Sequence, residues 1–173
     1  MLLRGEKPNI GFNDLGQGNR REQVMSNLPT ALPKWIADHV RMYREDPDSA
    51  HMWDATVAGG NGLLATLLLT STGRRSGEPR PLPLIYKKVG DNYVVIASKG
   101  GAPTHPAWYL NLIAEPNCHV QVAKDEMDAT ARTASDTERE DLWSQLVEVY
   151  PPYADYQKSA GDREIPVVVL EPK

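Results

Sequence analysis

Apolar positions along the chain fall into short runs parted by glycine, proline and acidic clusters, and the period within the runs changes from one to the next. Ile36, Val40 and Tyr43 recur at i, i+4 and i+7, a single stripe that predicts a helix opening near Pro33. Asp46-Pro47-Asp48-Ser49 ends it, and the stretch through Gly59-Gly60-Asn61-Gly62 reads as a loop. Residues 65–72 are then apolar on much of both faces, as a buried strand requires. A second strand is predicted over 81–88, where Pro81 and Pro83 imply an edge or a bulge. Gly90-Asp91-Asn92 turns into a third over 93–98, and three strands in such close succession predict an antiparallel meander. Over 106–114, Trp108 with Leu112 and Tyr109 with Ile113 stand at helical spacing. Two further strands are predicted over 119–123 and 127–133. Ser135 followed three places on by Glu138 forms a capping box, and the helix it opens has Leu142, Leu146 and Val149 on one face. Pro151-Pro152 stops that helix, a tyrosine-bearing turn follows, and 166–170 is a last strand. Strands dominate, so the pattern predicts an α+β chain built on a small β-barrel decorated by helices.

Residues 1–28 carry no sustained apolar period; Gly5, Pro8, Gly11, Gly16 and Gly18 interrupt it, and the segment reads as a tail before one domain over 29–173. A length of 173 residues suits one core, and fourteen prolines with thirteen glycines favour a loop-rich fold over a helical bundle. The lone cysteine, Cys118, excludes an internal disulfide and reads as a small buried hydrophobe on a strand rather than as a nucleophile. The longest apolar stretch is too short to span a bilayer, and the first residues lack the order of a signal peptide. The expected location is cytoplasmic, with attachment to the inner membrane surface left open because the helix after Pro33 is amphipathic.

A net charge of −4 disfavours nucleic acid as a partner, and its distribution sharpens the point. Arg74, Arg75, Arg80, Lys87, Lys88 and Lys99 face only Glu78 and Asp91 within one stretch, a basic island in an acidic chain. Such an island fits either a local anionic ligand or a solvated hairpin with lysines at its edge.

Three constellations could carry chemistry. In Thr72-Gly73-Arg74-Arg75-Ser76-Gly77-Glu78-Pro79-Arg80, glycines allow a tight turn and three arginines supply paired donors for phosphate or carboxylate; the same residues also make an ordinary charged hairpin tip. In the stretch from Ala97-Ser98-Lys99-Gly100-Gly101 to Pro106-Ala107-Trp108, a strand end passes through a glycine pair to a helix start, where free N–H groups point outward. Trp108 there could wall a planar ring or fill the core, and His105 reads as a surface residue. Tyr150, Tyr153 and Tyr156, spaced by three, could face a substrate or plug the base of the barrel. No metal-ligand spacing, Walker loop, dinucleotide fingerprint or hydrolase elbow is present.

Taken in order, Leu67-Leu68-Leu69-Thr70-Ser71-Thr72-Gly73-Arg74-Arg75-Ser76-Gly77, Val95-Ile96-Ala97-Ser98-Lys99-Gly100-Gly101-Ala102-Pro103, His105-Pro106-Ala107-Trp108-Tyr109-Leu110-Asn111-Leu112 and Tyr150-Pro151-Pro152-Tyr153-Ala154-Asp155-Tyr156-Gln157 resemble the deazaflavin (F420)-dependent nitroreductase and quinone reductase family. The likeness runs from about Pro33 to Pro172 and excludes the segment before Met25. It implies a split β-barrel of about six antiparallel strands and coenzyme F420 as cofactor. By position it implies that Arg74, Arg75 and Ser76 hold the anionic tail and that Arg80, Pro81, Leu82, Pro83, Leu84 and Ile85 line the cofactor. Ile96, Ala97, Ser98 and Lys99 would contact the ring, and Ala107, Trp108, Tyr109, Leu110 and Asn111 would close over it. Tyr153, flanked by Tyr150 and Tyr156, would sit at the substrate face, with Ser98 and Tyr153 orienting the acceptor or supplying a proton. Family members often carry lysine where this chain has Arg75, which keeps the charge and changes the hydrogen-bond geometry. The implied activity is hydride transfer from reduced F420 to a quinone, enone or nitroaromatic, by a monomer or homodimer. A flavin mononucleotide-dependent reductase and a non-catalytic carrier of F420 or a lipid remain the alternatives on the same barrel.

Overall fold

The structure, a computed structural model, describes residues 32–173 and, upstream, Gly16 alone. The tail expected over 1–28 therefore lies outside the described residues. Helix α1 (Lys34–Glu45) opens directly after Pro33 and buries His39, Val40 and Tyr43, the face its spacing foretells. Asp46 then ends α1 and caps a short α2 (Pro47–His51), its carboxylate accepting from the Ser49 N–H. The sequence reading missed α2, because a proline after an aspartate serves the first turn of a new helix as well as the end of an old one. It also missed β1 (Met52–Asp54), which is three residues long and has no period to detect.

Strands β2 (Leu63–Thr72), β3 (Pro79–Val89) and β4 (Asn92–Ile96) form the expected antiparallel meander. Helix α3 (Ala107–Ala114) intervenes before β5 (Asn117–Val122) and β6 (Asp125–Thr133). Helices α4 (Asp136–Val149) and α5 (Pro152–Ser159) precede β7 (Val167–Pro172). The order β2–β3–β4–β7–β6–β5 returns to β2 through the pairing of Leu68, Leu69 and Thr70 with Gln121, Val120 and His119, so six strands close into the split barrel and β1 only extends an edge of β2. Closure removes the free edges of those six strands over the paired residues.

Strand alternation divides the core in two. Leu67, Leu69, Tyr93, Val95, Val120, Val168 and Leu170 point into the barrel, where Trp108 and Leu112 of α3 plug one end and Cys118 is sealed among them. Val94, Ile96, Val167 and Val169, the alternate positions of β4 and β7, point outward beneath Leu142 and Leu146 of α4 and the tyrosines that follow. Leu68 faces out from β2 beneath Val40 and Tyr43 of α1, whose phenol donates to the Thr66 carbonyl at 2.6 Å. Each fully buried leucine stabilises by about 1.5–3 kcal/mol relative to exposure, which explains why β2, β4 and β7 are apolar at consecutive positions. No helix among the described residues is long and apolar enough to cross a membrane.

Candidate active site

The turn between β2 and β3 is drawn tight by local bonds. The Gly73 N–H donates to the Glu78 carbonyl at 2.8 Å and the Gly77 N–H to the Gly73 carbonyl at 2.7 Å. Gly77 takes φ +71°, a conformation glycine adopts without strain. Ser76 Oγ accepts from the Glu78 N–H at 3.2 Å and from Arg80 Nη2 at 3.0 Å, and its own O–H is left to donate elsewhere. A Cβ on Gly73 would lie 2.7 Å from Ser76 Oγ and 3.1 Å from the Glu78 carbonyl oxygen, so a larger residue there would displace the Ser76 hydroxyl.

Helix α3 meets this turn through Asn111, which is 5% exposed. Its amide nitrogen donates to Ser71 Oγ at 3.2 Å, and its Oδ1 accepts from Arg74. Between turn and helix lies a groove of about 480 Å³. One side presents Gly73, Arg74, Arg75, Ser76, Arg80, Pro81 and Leu82; the other presents Pro106, Ala107, Trp108 and Asn111, with Lys99 and Leu32 at the margins. Among the described residues four cations and no carboxylate line it, and beside them stand the apolar faces of Leu82 and Trp108. Arg75 is exposed and makes no hydrogen bond or ion pair with the described residues. Such a groove draws a polyanion to its charged end and accepts a flat apolar body at the other. Trp108 serves both purposes weighed from sequence: it is 7% exposed within the barrel core, and it also lines the groove.

Lys99 reaches the groove from the segment after β4. It takes φ +50°, followed by Gly100 at +61° and Gly101 at +79°. Lys99 Nζ donates to Thr104 Oγ1 at 2.8 Å. A Cβ on Gly101 would lie 2.7 Å from the Tyr156 carbonyl oxygen, so this turn sits directly against α5.

Helix α5 replaces the turn expected after Pro151-Pro152 and gathers the tyrosines. Tyr150 and Tyr153 meet edge to face with centroids 4.9 Å apart, and Tyr156 closes the cluster at 6.2 and 6.3 Å. Tyr150 donates to the Ala58 carbonyl at 2.7 Å, and its oxygen lies 3.2 Å from that of Tyr156. Because the Tyr150 proton is used on Ala58, Tyr156 is the donor in that pair. Tyr153 is 5% exposed against Trp143 and the other two rings, and its hydroxyl makes no hydrogen bond among the described residues. Burial pushes its pKa up, with the neighbouring phenols adding to the shift, so it stays protonated.

Of the residues expected around the cofactor, the groove thus gathers Arg74, Arg75, Ser76, Arg80, Pro81, Leu82, Lys99, Ala107, Trp108 and Asn111. It does not gather the rest. Leu84 packs on the barrel core and Ala97 is fully buried there, while Ile85 and Ile96 pack outward in the cluster beneath α4. Tyr109 turns its hydroxyl toward Thr133 Oγ1 at 3.0 Å. Pro83, Leu110 and Ser98 are half-buried outside the lining. Tyr150, Tyr153 and Tyr156 are brought together beside the Lys99–Gly101 turn, against which Tyr156 packs, and are not among the residues lining the groove. The residues expected around the cofactor omitted Leu32, Gly73 and Pro106 of the lining, although Gly73 and Pro106 stood within the constellations singled out. Sequence reasoning missed Arg163, which holds the segment carrying Lys99; flanked by Asp162 and Glu164 in a polar turn, it reads as a solvated charge and gives no signal.

A family model for the F420H(2)-dependent quinone reductases matches residues 39–172. An F420H(2)-dependent quinone reductase of Mycobacterium tuberculosis (strain H37Rv) is 34% identical over 150 residues, which cover 80% of this chain and 97% of the relative. Among solved structures, an F420-H2 dependent reductase (FDR-A) superposes with a TM-score of 0.57 at 45% identity, covering 61% of this chain and 93% of that one. A second, described as a domain-swapped dimer, gives 0.58 at 40% identity, covering 78% and 98%. Barrel and relatives together define an F420H2-dependent oxidoreductase with coenzyme F420 as its cofactor. The cationic groove fits that cofactor, which joins a flat ring to a multiply charged tail. More specifically, the chain belongs to the F420H(2)-dependent quinone reductase family.

Proposed function

We propose that this enzyme reduces quinones, and related enones and nitroaromatics, with reduced F420 held in the groove between the β2–β3 turn and α3. The observation that carries the reading is the groove's lining: among the described residues, Arg74, Arg75, Arg80 and Lys99 without a carboxylate, beside Leu82 and Trp108. The name of the mycobacterial relative supports a quinone as acceptor. Arg74, Arg75, Ser76 and Arg80 would bind the charged tail, and Pro81, Leu82, Ala107 and Trp108 would flank the ring. When bound in its reduced form, F420 supplies a hydride. A quinone that takes up a hydride becomes an anion and needs one proton, so a donor facing the acceptor oxygen lowers the barrier. Ser98 and Tyr153 suit that role because neither side-chain hydroxyl is committed to another bond among the described residues. Tyr150 and Tyr156, whose protons are used within their own chain of bonds, position Tyr153 by packing.

The test is a panel of menadione, cyclohexenone and a nitroaromatic offered with reduced F420, followed by loss of the reduced cofactor. Acceptor-dependent oxidation, fastest with menadione, is expected. Tight F420 binding with no oxidation by any acceptor would make the protein a carrier. Preferential binding of flavin mononucleotide would make it a flavin reductase.

A further inference from the structure

The segment 97–105 runs from Ala97, fully buried in the barrel core, through Lys99, which lines the groove, to His105, whose ring lies 5.1 Å from that of Tyr109. One side chain from another part of the chain holds it. Arg163, in the loop between α5 and β7, donates from Nη2 to the Ser98 carbonyl at 2.7 Å, from Nε to the Ala102 carbonyl at 2.8 Å and from Nη1 to the Ala97 carbonyl at 3.1 Å. Nη1 also lies 3.3 Å from His105 Nδ1. A guanidinium has no lone pair to offer, so His105 Nδ1 accepts and its proton sits on Nε2. Burial, and then the Arg163 charge, push the His105 pKa down, which keeps that acceptor free. No carboxylate pairs with Arg163 among the described residues; its planar fork is committed to three backbone carbonyls and one imidazole.

Within the bracketed segment, Lys99, Gly100 and Gly101 all have positive φ, and for Lys99 that conformation is costly by about 1 kcal/mol or more. Left alone, the turn would relax. The loop bearing Arg163 is itself fixed to α5: Gln157 Nε2 donates to the Arg163 carbonyl at 2.9 Å, and Gln157 Oε1 accepts from the Ile165 N–H at 2.9 Å. Arg163 therefore links the helix that carries the tyrosines to the turn that carries Ser98 and Lys99.

We propose that Arg163 is a positioning residue for the cofactor site: by clamping the carbonyls of Ala97, Ser98 and Ala102 it holds the Lys99 turn in its left-handed form, so that Lys99 lines the groove and Ser98 stands beside the tyrosine helix. The proposal rests on the reading of the groove as the F420 site.

The experiment uses the full chain and the variants Arg163→Gln and Arg163→Lys, with Arg75→Gln as a control on the groove. Two quantities are read: hydrogen exchange of the Gly101 and Ala102 amides without cofactor, and the dissociation constant of oxidised F420. Those amides donate to the Ser98 and Lys99 carbonyls and so report the turn directly. Arg163→Gln should speed their exchange by about tenfold or more, as loss of charge-assisted bonds implies, while exchange in β4 and β7 stays unchanged. It should also weaken F420 by about tenfold, raising KM for the cofactor more than KM for menadione. Arg163→Lys, which keeps the charge and part of the bonding, should restore part of both effects. Arg75→Gln should weaken F420 without altering exchange. Unchanged exchange in Arg163→Gln overturns the clamp, and faster exchange with unchanged F420 affinity overturns its role in positioning. Global loss of protection in Arg163→Gln would pass the decision to Arg163→Lys, judged by the same two readouts. If the parent chain binds no F420 at all, the functional reading fails, and the exchange data still judge the clamp.

Discussion

Asn111 Oδ1 accepts two hydrogen bonds from Arg74, one from its backbone N–H at 3.2 Å and one from Nη1 at 3.1 Å. A buried amide on the plugging helix thereby fixes both the chain and the side chain of the first groove arginine. The helix position and the placement of the groove's charge are one structural fact. Asn111→Leu keeps the branched shape and removes both bonds while leaving Ser71 Oγ without its donor. Stability should fall by about 1–3 kcal/mol, as for an unpaired buried polar group, and F420 affinity should fall as Arg74 loses its tether. Chemical denaturation and cofactor titration check the two effects; a destabilised variant with parental affinity would dissociate Arg74 from cofactor binding.

Tyr153 offers a cleaner substitution. Its hydroxyl makes no hydrogen bond among the described residues, so Tyr153→Phe removes an oxygen without orphaning any of them. Unfolding stability and F420 affinity should match the parent, while turnover with menadione should fall by about ten- to a hundredfold, at the low end of what a positioned proton donor contributes. Parental turnover would remove Tyr153 from the proton path. Tyr150→Phe should instead lose stability by about 1 kcal/mol, because its bond to the Ala58 carbonyl goes with the hydroxyl.

Much of the barrel was legible in the sequence, and the reasons are local. The continuous apolar runs of β4 and β7 and the capping box at Ser135 are properties of neighbouring residues, so they could be read without knowing the fold, whereas which side chains of those runs face the barrel could not. The basic island mapped onto one wall of the groove because Arg74, Arg75 and Arg80 sit on a single turn. What could not be read depends on contacts distant in sequence. Leu82 and Leu84 belong to the same strand and both pack against the barrel core, yet only Leu82 also lines the groove. Arg163 approaches Ser98 from 65 residues away, and no periodicity or spacing records that approach. The tyrosine stretch looked like a turn because Pro151-Pro152 reads as a break, whereas a proline in the first helical turn is also a starter.

The four cations of the groove imply a binding constant that depends on salt. Among the described residues Arg75 is the groove arginine without a hydrogen-bond or ion-pair partner, so its exposed charge is available to a ligand and screened by solvent. F420 affinity should weaken steadily as sodium chloride rises from about 0.05 to 0.5 M, over which the screening length shrinks severalfold. Arg75→Gln should lower the affinity at low salt and make its salt dependence shallower. Calorimetric titrations at three ionic strengths suffice, and an affinity indifferent to salt would mean that the ring, and not the tail, dominates binding.

Acid should loosen the junction between β6 and α4 before it affects the barrel. Arg132 donates from Nη1 and Nη2 to the two carboxylate oxygens of Glu138, at 2.7 and 3.0 Å, and from Nε to Glu171 Oε1 at 2.7 Å. Glu138 also accepts from the Ser135 N–H at 2.9 Å, completing the capping box. The Arg132 bond, followed by the Ser135 N–H, holds the Glu138 pKa down at about 2. A carboxylate whose pKa is depressed by folding contributes stability above its ordinary range and loses it as pH falls through that range toward the folded value. The window here runs from about pH 5 down to about pH 2, because the unfolded side chain titrates near its ordinary value while the folded one resists. Both partners are about one-third exposed or more, so solvent screening reduces the effect well below the shift taken at face value. Glu138→Gln keeps an acceptor for Ser135 and removes the charge. At pH 7 it should be less stable than the parent by about 0.5–1 kcal/mol, and the gap should close as the pH approaches 2. Thermal unfolding of both proteins across that range decides the matter: a gap that stays constant with pH would place the contribution of Glu138 in its hydrogen bond to the helix end and not in its pairing with Arg132.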